Sequence, residues 1–287
     1  MILYMLQVIF KPLKYLSLET IHRCGTLIGQ LLFLLSSQTK HLAYNNLKQS
    51  RLINKEMDLN KTIQINAKEF GKSIVESLAM WQKSESELIS LVKSCSNWHI
   101  VEEALNKGKG IIFLTPHLGC FEITSIYYGN QHPITVLYRP PKLKWLEALI
   151  LHGRSRTGVT LAAANANGVR KLLKALKRGE AIGILPDQIP KAGEGEWADF
   201  FSKPAYTMSL ASKLAEKTGA AVIMAFGERL PNGAGFDIYL SKVESIASPA
   251  LLNKAIEQQI AQKPSQYLWS YDRYKQRRHA LKKTSAD

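Results

Sequence analysis

Residues 111–122 read Ile-Ile-Phe-Leu-Thr-Pro-His-Leu-Gly-Cys-Phe-Glu, an apolar run followed by a turn that carries a histidine and a glutamate. The run Ile111–Leu114 is short, apolar and bounded by turn residues, as expected of a buried strand. Pro116 and Gly119 suit a turn directly after it. On the C-terminal side, further short apolar runs at 134–137, 181–185, 221–225 and 236–240 alternate with helical patterns at 169–177, 208–217 and 251–261. Upstream, residues 60–81 carry Ile63, Ile65, Phe70, Ile74, Leu78 and Trp81 at helical spacing, and 101–106 reads as a short helix ended by Gly108 and Gly110. Strands alternating with helices predict an α/β fold, with a mostly parallel central sheet flanked by helices. In such sheets sites form in loops leaving the carboxyl ends of strands, which places the segment after Leu114 first.

His117 and Glu122 are five residues apart, about 140° around an ideal helix, so they would not share a helical face. They meet only if His117 sits in the turn and Glu122 on the helix that follows. That arrangement predicts acyl transfer by general base catalysis. His117 takes the proton of a hydroxyl as it attacks a thioester carbonyl, and Glu122 orients the imidazole and stabilises its protonated form. Amides at the start of the helix face the developing oxyanion. The acceptor hydroxyl is itself the nucleophile. Cys120 raises the alternative of an acyl-enzyme, against which stands a small buried side chain.

The chain has 287 residues with a formal net charge of +15, 46% hydrophobic and 21% charged. It is a folded chain with one sizeable core and an anionic partner. Cys24, Cys95 and Cys120 form no C-x-x-C pair, which argues against a disulfide framework or a structural zinc site and for a reducing location. No H-E-x-x-H, Walker A loop or G-x-G-x-x-G occurs, so no metal or redox cofactor is implied. No recognisable nucleic-acid motif is present, and no nucleic-acid partner is expected. Residues 1–10 are uncharged and apolar, as are most of 24–39, but neither run reaches the roughly 18 residues of a clear transmembrane span. The expectation is an uncleaved membrane-anchoring helical segment over 1–40 followed by a catalytic domain over 41–287. The alternative is a pair of amphipathic helices covering the core. The basic residues Arg273, Lys275, Arg277, Arg278, Lys282 and Lys283 would add attraction to anionic phospholipid, or form a solvated tail.

The His-Leu-Gly-x-x-Glu string does not stand alone. Asn46-Leu47, Tyr138-Arg139-Pro140, Arg154-x-x-x-Gly158, Leu185-Pro186-Asp187-Gln188, Phe200 to Ala205, and Tyr267-Leu268-Trp269 through Lys275 follow in order. Together they resemble the lipid A biosynthesis acyltransferase family, the late acyltransferases of lipopolysaccharide assembly, within the wider glycerolipid and lysophospholipid acyltransferase superfamily. The resemblance implies a glycerol-3-phosphate-acyltransferase-like fold at the cytoplasmic face of a Gram-negative inner membrane. It implies acyl carrier protein, or coenzyme A, as donor and a lipid A precursor as acceptor. It departs from the family pattern at Cys120, Phe121, Ser202 and in Tyr271-Asp272-Arg273-Tyr274-Lys275. Arg139, Arg154 and Lys203 are candidates for an anionic group of the substrate, with Arg156 below them. Asp187 is a candidate to position substrate or pair with one of the arginines. A different lipid acceptor, such as a lysophospholipid or glycolipid, and a non-catalytic basic binding protein remain as alternatives.

Overall fold

The computed structural model describes residues 10–275. Nine strands and ten α-helices lie within that range: α1 (Leu18–Leu35), α2 (Ser37–Ser50), α3 (Glu56–Met80), α4 (Glu85–Ile89), β1 (Val92–Ser96), α5 (His99–Asn106), β2 (Ile111–Leu114), α6 (Phe121–Gly129), β3 (Ile134–Tyr138), α7 (Lys144–Arg154), β4 (Val159–Ala163), α8 (Ala166–Lys177), β5 (Ala181–Ile184), β6 (Gly195–Phe200), β7 (Lys203–Met208), α9 (Leu210–Thr218), β8 (Ala221–Arg229), β9 (Phe236–Lys242) and α10 (Pro249–Gln262). Seven strands form one sheet in the order β1-β9-β8-β2-β5-β3-β4, and β6 and β7 pair as a separate hairpin. Every pairing in the large sheet is parallel except β8 with β9, so the mostly parallel sheet expected from the alternating pattern is present.

β2 lies between β8 and β5 and is buried on both faces, which explains why its four residues are all apolar. Alternation along the strand sends its side chains into two cores. Ile112 and Leu114 join Leu47, Ile63, Leu172 and Ile256, while Ile111 and Phe113 join Val101, Ile123 and Ile126. The neighbouring parallel strands β2, β5 and β3 end on one edge, and their carboxyl ends release Thr115, Leu185 and Arg139 side by side. Thr115 N–H donates to the Ile184 carbonyl at 3.0 Å, so the first two turns leave the sheet together.

Several elements lay outside the apolar patterns. β1 reads Val-Lys-Ser-Cys-Ser and is half exposed, and the 14-residue helix α2 is polar on its outer side. The expected helix at 208–217 begins at Leu210 because Met208 still pairs with Gly195 in the hairpin.

α1 is welded to α3 through glycines. A Cβ on Gly29 would lie 2.0 Å from the Ala67 carbonyl oxygen, and one on Gly71 would lie 2.0 Å from that of Gly25. Ser17 caps α1 by accepting the Thr20 N–H at 3.2 Å. The opposite face of α1 is open, with Leu27 68%, Leu34 80% and Leu35 75% exposed. Glu19, His22 and Arg23 sit in its first half, and no helix of the described residues is long and apolar enough to cross a membrane. Residues 1–9, and the basic residues Arg277, Arg278, Lys282 and Lys283, lie outside the described range. Arg273, expected in that basic cluster, is instead 2% exposed. It donates to the Tyr206 carbonyl and to Thr207 Oγ1, both at 2.8 Å, because it closes the hairpin against the core.

Candidate active site

His117 sits in the turn after β2 and Asp187 in the turn after β5. Adjacent parallel strands therefore bring together two residues 70 positions apart. His117 Nδ1 is 2.9 Å from Asp187 Oδ1, and the His117 backbone N–H donates to Asp187 Oδ2 at 2.9 Å. One carboxylate thus holds both the ring and the main chain. The Asp187 side chain is 3% exposed and that of His117 15%. Burial opposes ionisation of Asp187. The facing imidazole and the hydrogen bonds from the His117 ring and backbone outweigh it and hold the carboxyl below its ordinary range. With Nδ1–H donated to Asp187, Nε2 carries the lone pair. Nε2 faces the Gln188 side-chain amide at 3.2 Å. The Phe121 ring packs against the imidazole with centroids 5.1 Å apart, and the His117 carbonyl accepts Leu268 N–H at 3.0 Å.

Glu122 has a different partner from the one the sequence predicts. It lies in the first turn of α6, buried, and its carboxylate accepts Arg154 Nε at 2.8 and 3.0 Å. Arg154 is the last residue of α7. Its guanidinium lies 5.8 Å from the Trp81 ring centroid and 6.0 Å from that of Phe121. Among the described residues no hydrogen bond joins Glu122 to His117. The physical reason is the turn: Asp187 approaches His117 from the neighbouring strand and occupies Nδ1, while the start of α6 directs Glu122 towards α7. Asp187 accordingly pairs with the histidine rather than with an arginine.

Two cavities meet beside these pairs. An open cleft of about 650 Å³ is lined by His117, Arg139, Arg154, Asn165, Gln188 and Lys213, among others. A narrow, mainly apolar cavity of about 40 Å³ runs under the sheet along Phe113, Tyr127, Val136, Gly183 and Leu240, with Glu122 and Arg154 among its polar residues. Arg154 and Leu185 line both. Arg139 is exposed at the cleft and donates to the Ile189 carbonyl at 3.1 Å. Lys203 lines neither cavity; its ammonium lies 4.5 Å from the Tyr274 ring centroid on the hairpin. Arg156 is spent on the Met80 and Lys83 carbonyls at the end of α3. Cys120 is 1% exposed beside Met80, and burial, with Glu76 nearby, pushes its thiol well above the ordinary value, so it offers no attacking thiolate.

Behind the turn lies a buried charge network that sequence reading did not identify. Arg229 on β8 meets Glu76 at 3.0 Å and donates to the Gly119 carbonyl at 2.8 Å. Glu76 also meets His22 Nε2 at 2.8 Å. Burial opposes ionisation of Glu76, yet Arg229 and His22 lower its carboxyl to about 2. Gly119 has φ +60, and a Cβ there would stand 2.1 Å from the Gly227 carbonyl oxygen, so the turn is pressed directly onto β8. The available signal was Glu69 and Glu76, seven residues apart on the apolar stripe of α3, where an acidic residue needs a buried partner.

The model of the bacterial lipid A biosynthesis acyltransferase family matches residues 1–276. The chain is 24% identical over 268 residues to the lipid A biosynthesis lauroyltransferase of Escherichia coli K12, covering 90% of this chain and 86% of the relative. It is 25% identical over 266 residues to the palmitoleoyltransferase of the same organism, covering 88% and 84%. A lipid A biosynthesis acyltransferase of Haemophilus influenzae is 27% identical over 178 residues, covering 59% and 55%. With a family model spanning nearly its whole length and its histidine turn at the edge of the parallel sheet, the chain belongs to the bacterial lipid A biosynthesis acyltransferase family.

Proposed function

We propose that the protein transfers a fatty acyl chain from a thioester of acyl carrier protein, or of coenzyme A, to a hydroxyl on a 3-hydroxyacyl chain of a lipid A precursor. The observation that carries this reading is the Asp187–His117 pair, with His117 lining a cleft that shares Arg154 and Leu185 with an apolar cavity. His117 Nε2 takes the hydroxyl proton as the oxygen attacks the thioester carbonyl. Asp187 fixes the tautomer and compensates the imidazolium, the role the sequence had suggested for Glu122. Collapse of the tetrahedral intermediate breaks the carbon–sulfur bond, and the proton passes from His117 to the leaving thiolate. The products are an acyloxyacyl ester and a free thiol.

Glu122 acts through Arg154, holding a cation at the junction of cleft and cavity, where charge develops on the thioester oxygen. The acyl chain enters along the apolar cavity, which at about 40 Å³ has to widen to hold it, and Arg139 at the open cleft takes an anionic group of the acceptor. At the membrane, Leu27, Leu31, Leu34 and Leu35 on the outer face of α1 dip into the interface of the inner membrane's cytoplasmic leaflet. The excess positive charge draws the protein to anionic lipid.

The test is radiolabelled acyl transfer from acyl carrier protein to a lipid A precursor by detergent-purified wild type and His117→Ala. Transfer by the wild type and its loss in the variant are expected. Undiminished activity in His117→Ala would refute the base assignment, and inactivity of the wild type across several donors and acceptors would favour a binding protein.

A further inference from the structure

The His117 lone pair is covered in this structure. Nδ1 is committed to Asp187, which leaves Nε2 as the only basic nitrogen, and the Gln188 amide stands 3.2 Å from it. An unprotonated Nε2 accepts, so the amide donates. Gln188 is held in place by its neighbours. Asp187 on one side is buried and bonded to His117. Ile189 on the other is pinned at both ends, its N–H donating to Tyr271 Oη at 3.0 Å and its carbonyl accepting Arg139 at 3.1 Å. The Gln188 side chain itself is half-buried and lines the cleft.

We propose that Gln188 reserves the His117 lone pair for the lipid hydroxyl against water. This deepens the acyl-transfer reading and rests on His117 being its base. A loaded thioester faces a persistent competitor: water activated by the same histidine would hydrolyse it, giving a free fatty acid and a free thiol. To reach Nε2, either nucleophile must displace the Gln188 N–H. A lipid acceptor meets that cost with binding energy from the rest of its structure in the cleft, whereas a water molecule has no such contacts. Gln188 is therefore a positioning residue that sets the ratio of transfer to hydrolysis.

The test measures free fatty acid released from a lauroyl thioester of acyl carrier protein without acceptor, and transfer with acceptor, for full-length wild type and Gln188→Met. Methionine keeps the length and removes the donor. Hydrolysis should rise by about three- to tenfold, the factor a neutral hydrogen bond is worth, while transfer at saturating acceptor, where the bound lipid has already displaced the amide, rises less, so the transfer-to-hydrolysis ratio falls. Gln188→Ala removes the same donor with a smaller side chain and should give the same change. In His117→Ala/Gln188→Met the rise should vanish. Unchanged hydrolysis in both single variants, or a rise that survives loss of His117, would overturn the proposal. Full transfer by His117→Ala alone would instead overturn the base assignment, so the two failures are distinguishable.

Discussion

Asp187→Asn isolates what the carboxylate does for His117. Asp187 accepts two hydrogen bonds from the same residue, from the ring at 2.9 Å and from the backbone N–H at 2.9 Å. An amide has one oxygen, so it can accept only one of them. If the oxygen faces the backbone, the NH₂ group faces Nδ1 and drives the ring to the Nε2–H tautomer, which cannot act as a base. If the oxygen faces the ring, the NH₂ group opposes the His117 N–H. In either case the negative charge that compensates the imidazolium is gone. The difference between a charge-assisted and a neutral hydrogen bond, with the wrong-tautomer penalty, sums to about 3–5 kcal/mol in the transition state. At 1.36 kcal/mol per decade this is a loss of about 10²- to 10⁴-fold in kcat. KM should change little, because the imidazolium forms only in the transition state. The assay is steady-state transfer from acyl carrier protein to a lipid A precursor in detergent, with thermal unfolding as the folding control. A folded Asp187→Asn protein within about threefold of wild-type kcat would refute the assignment of Asp187 as the orienting group, since loss of charge and tautomer control cannot cost so little.

Arg154→Lys should fail to substitute for arginine, because Nε and the terminal nitrogen grip Glu122 as a fork that an ammonium cannot reproduce. Losses of about 10- to 100-fold are expected for Arg154→Lys and Glu122→Gln. In a double-mutant cycle the combined loss should fall well short of the product of the single losses. Glu76 governs acid stability. Its carboxyl falls from an ordinary value of 4.5 to about 2 in the folded protein. The stabilisation is therefore complete above about pH 4.5 and is lost as pH falls through 2, amounting to roughly 3 kcal/mol. Denaturant unfolding from pH 6 to pH 2 should show this slope, and Glu76→Gln should flatten it while lowering stability at neutral pH. Leu31→Ser, Leu34→Ser and Leu35→Ser together remove apolar area from the open face of α1. They should reduce co-sedimentation with anionic phosphatidylglycerol vesicles by at least about tenfold without lowering the melting temperature.

The buried strands were legible because they are short and wholly apolar: Ile111–Leu114 and Ala181–Ile184 can be little else between turn residues. Strands such as Val92–Ser96 were not, since half their side chains face solvent and carry no apolar signal. At the site, the histidine turn could be located from Pro116, Gly119 and its place after β2. The carboxylate beside it could not be chosen from spacing. Glu122 is near in sequence, and Asp187 is 70 residues away but one strand over in the sheet. Strand order, which decides the matter, follows from long-range packing that no local pattern encodes. Arg229 was hidden for the same reason. It is the last residue of an apolar strand, and only the opposing α3 reveals why a charge is buried there.

If His117 drives addition of an acyl chain to lipid A, its loss shows in the mass of lipid A from a strain lacking the gene. The mechanism predicts lipid A lighter by one secondary acyl chain, restored by the wild-type gene and not by His117→Ala. Lipid A of unchanged mass in the deletion strain, or full restoration by His117→Ala, would contradict it.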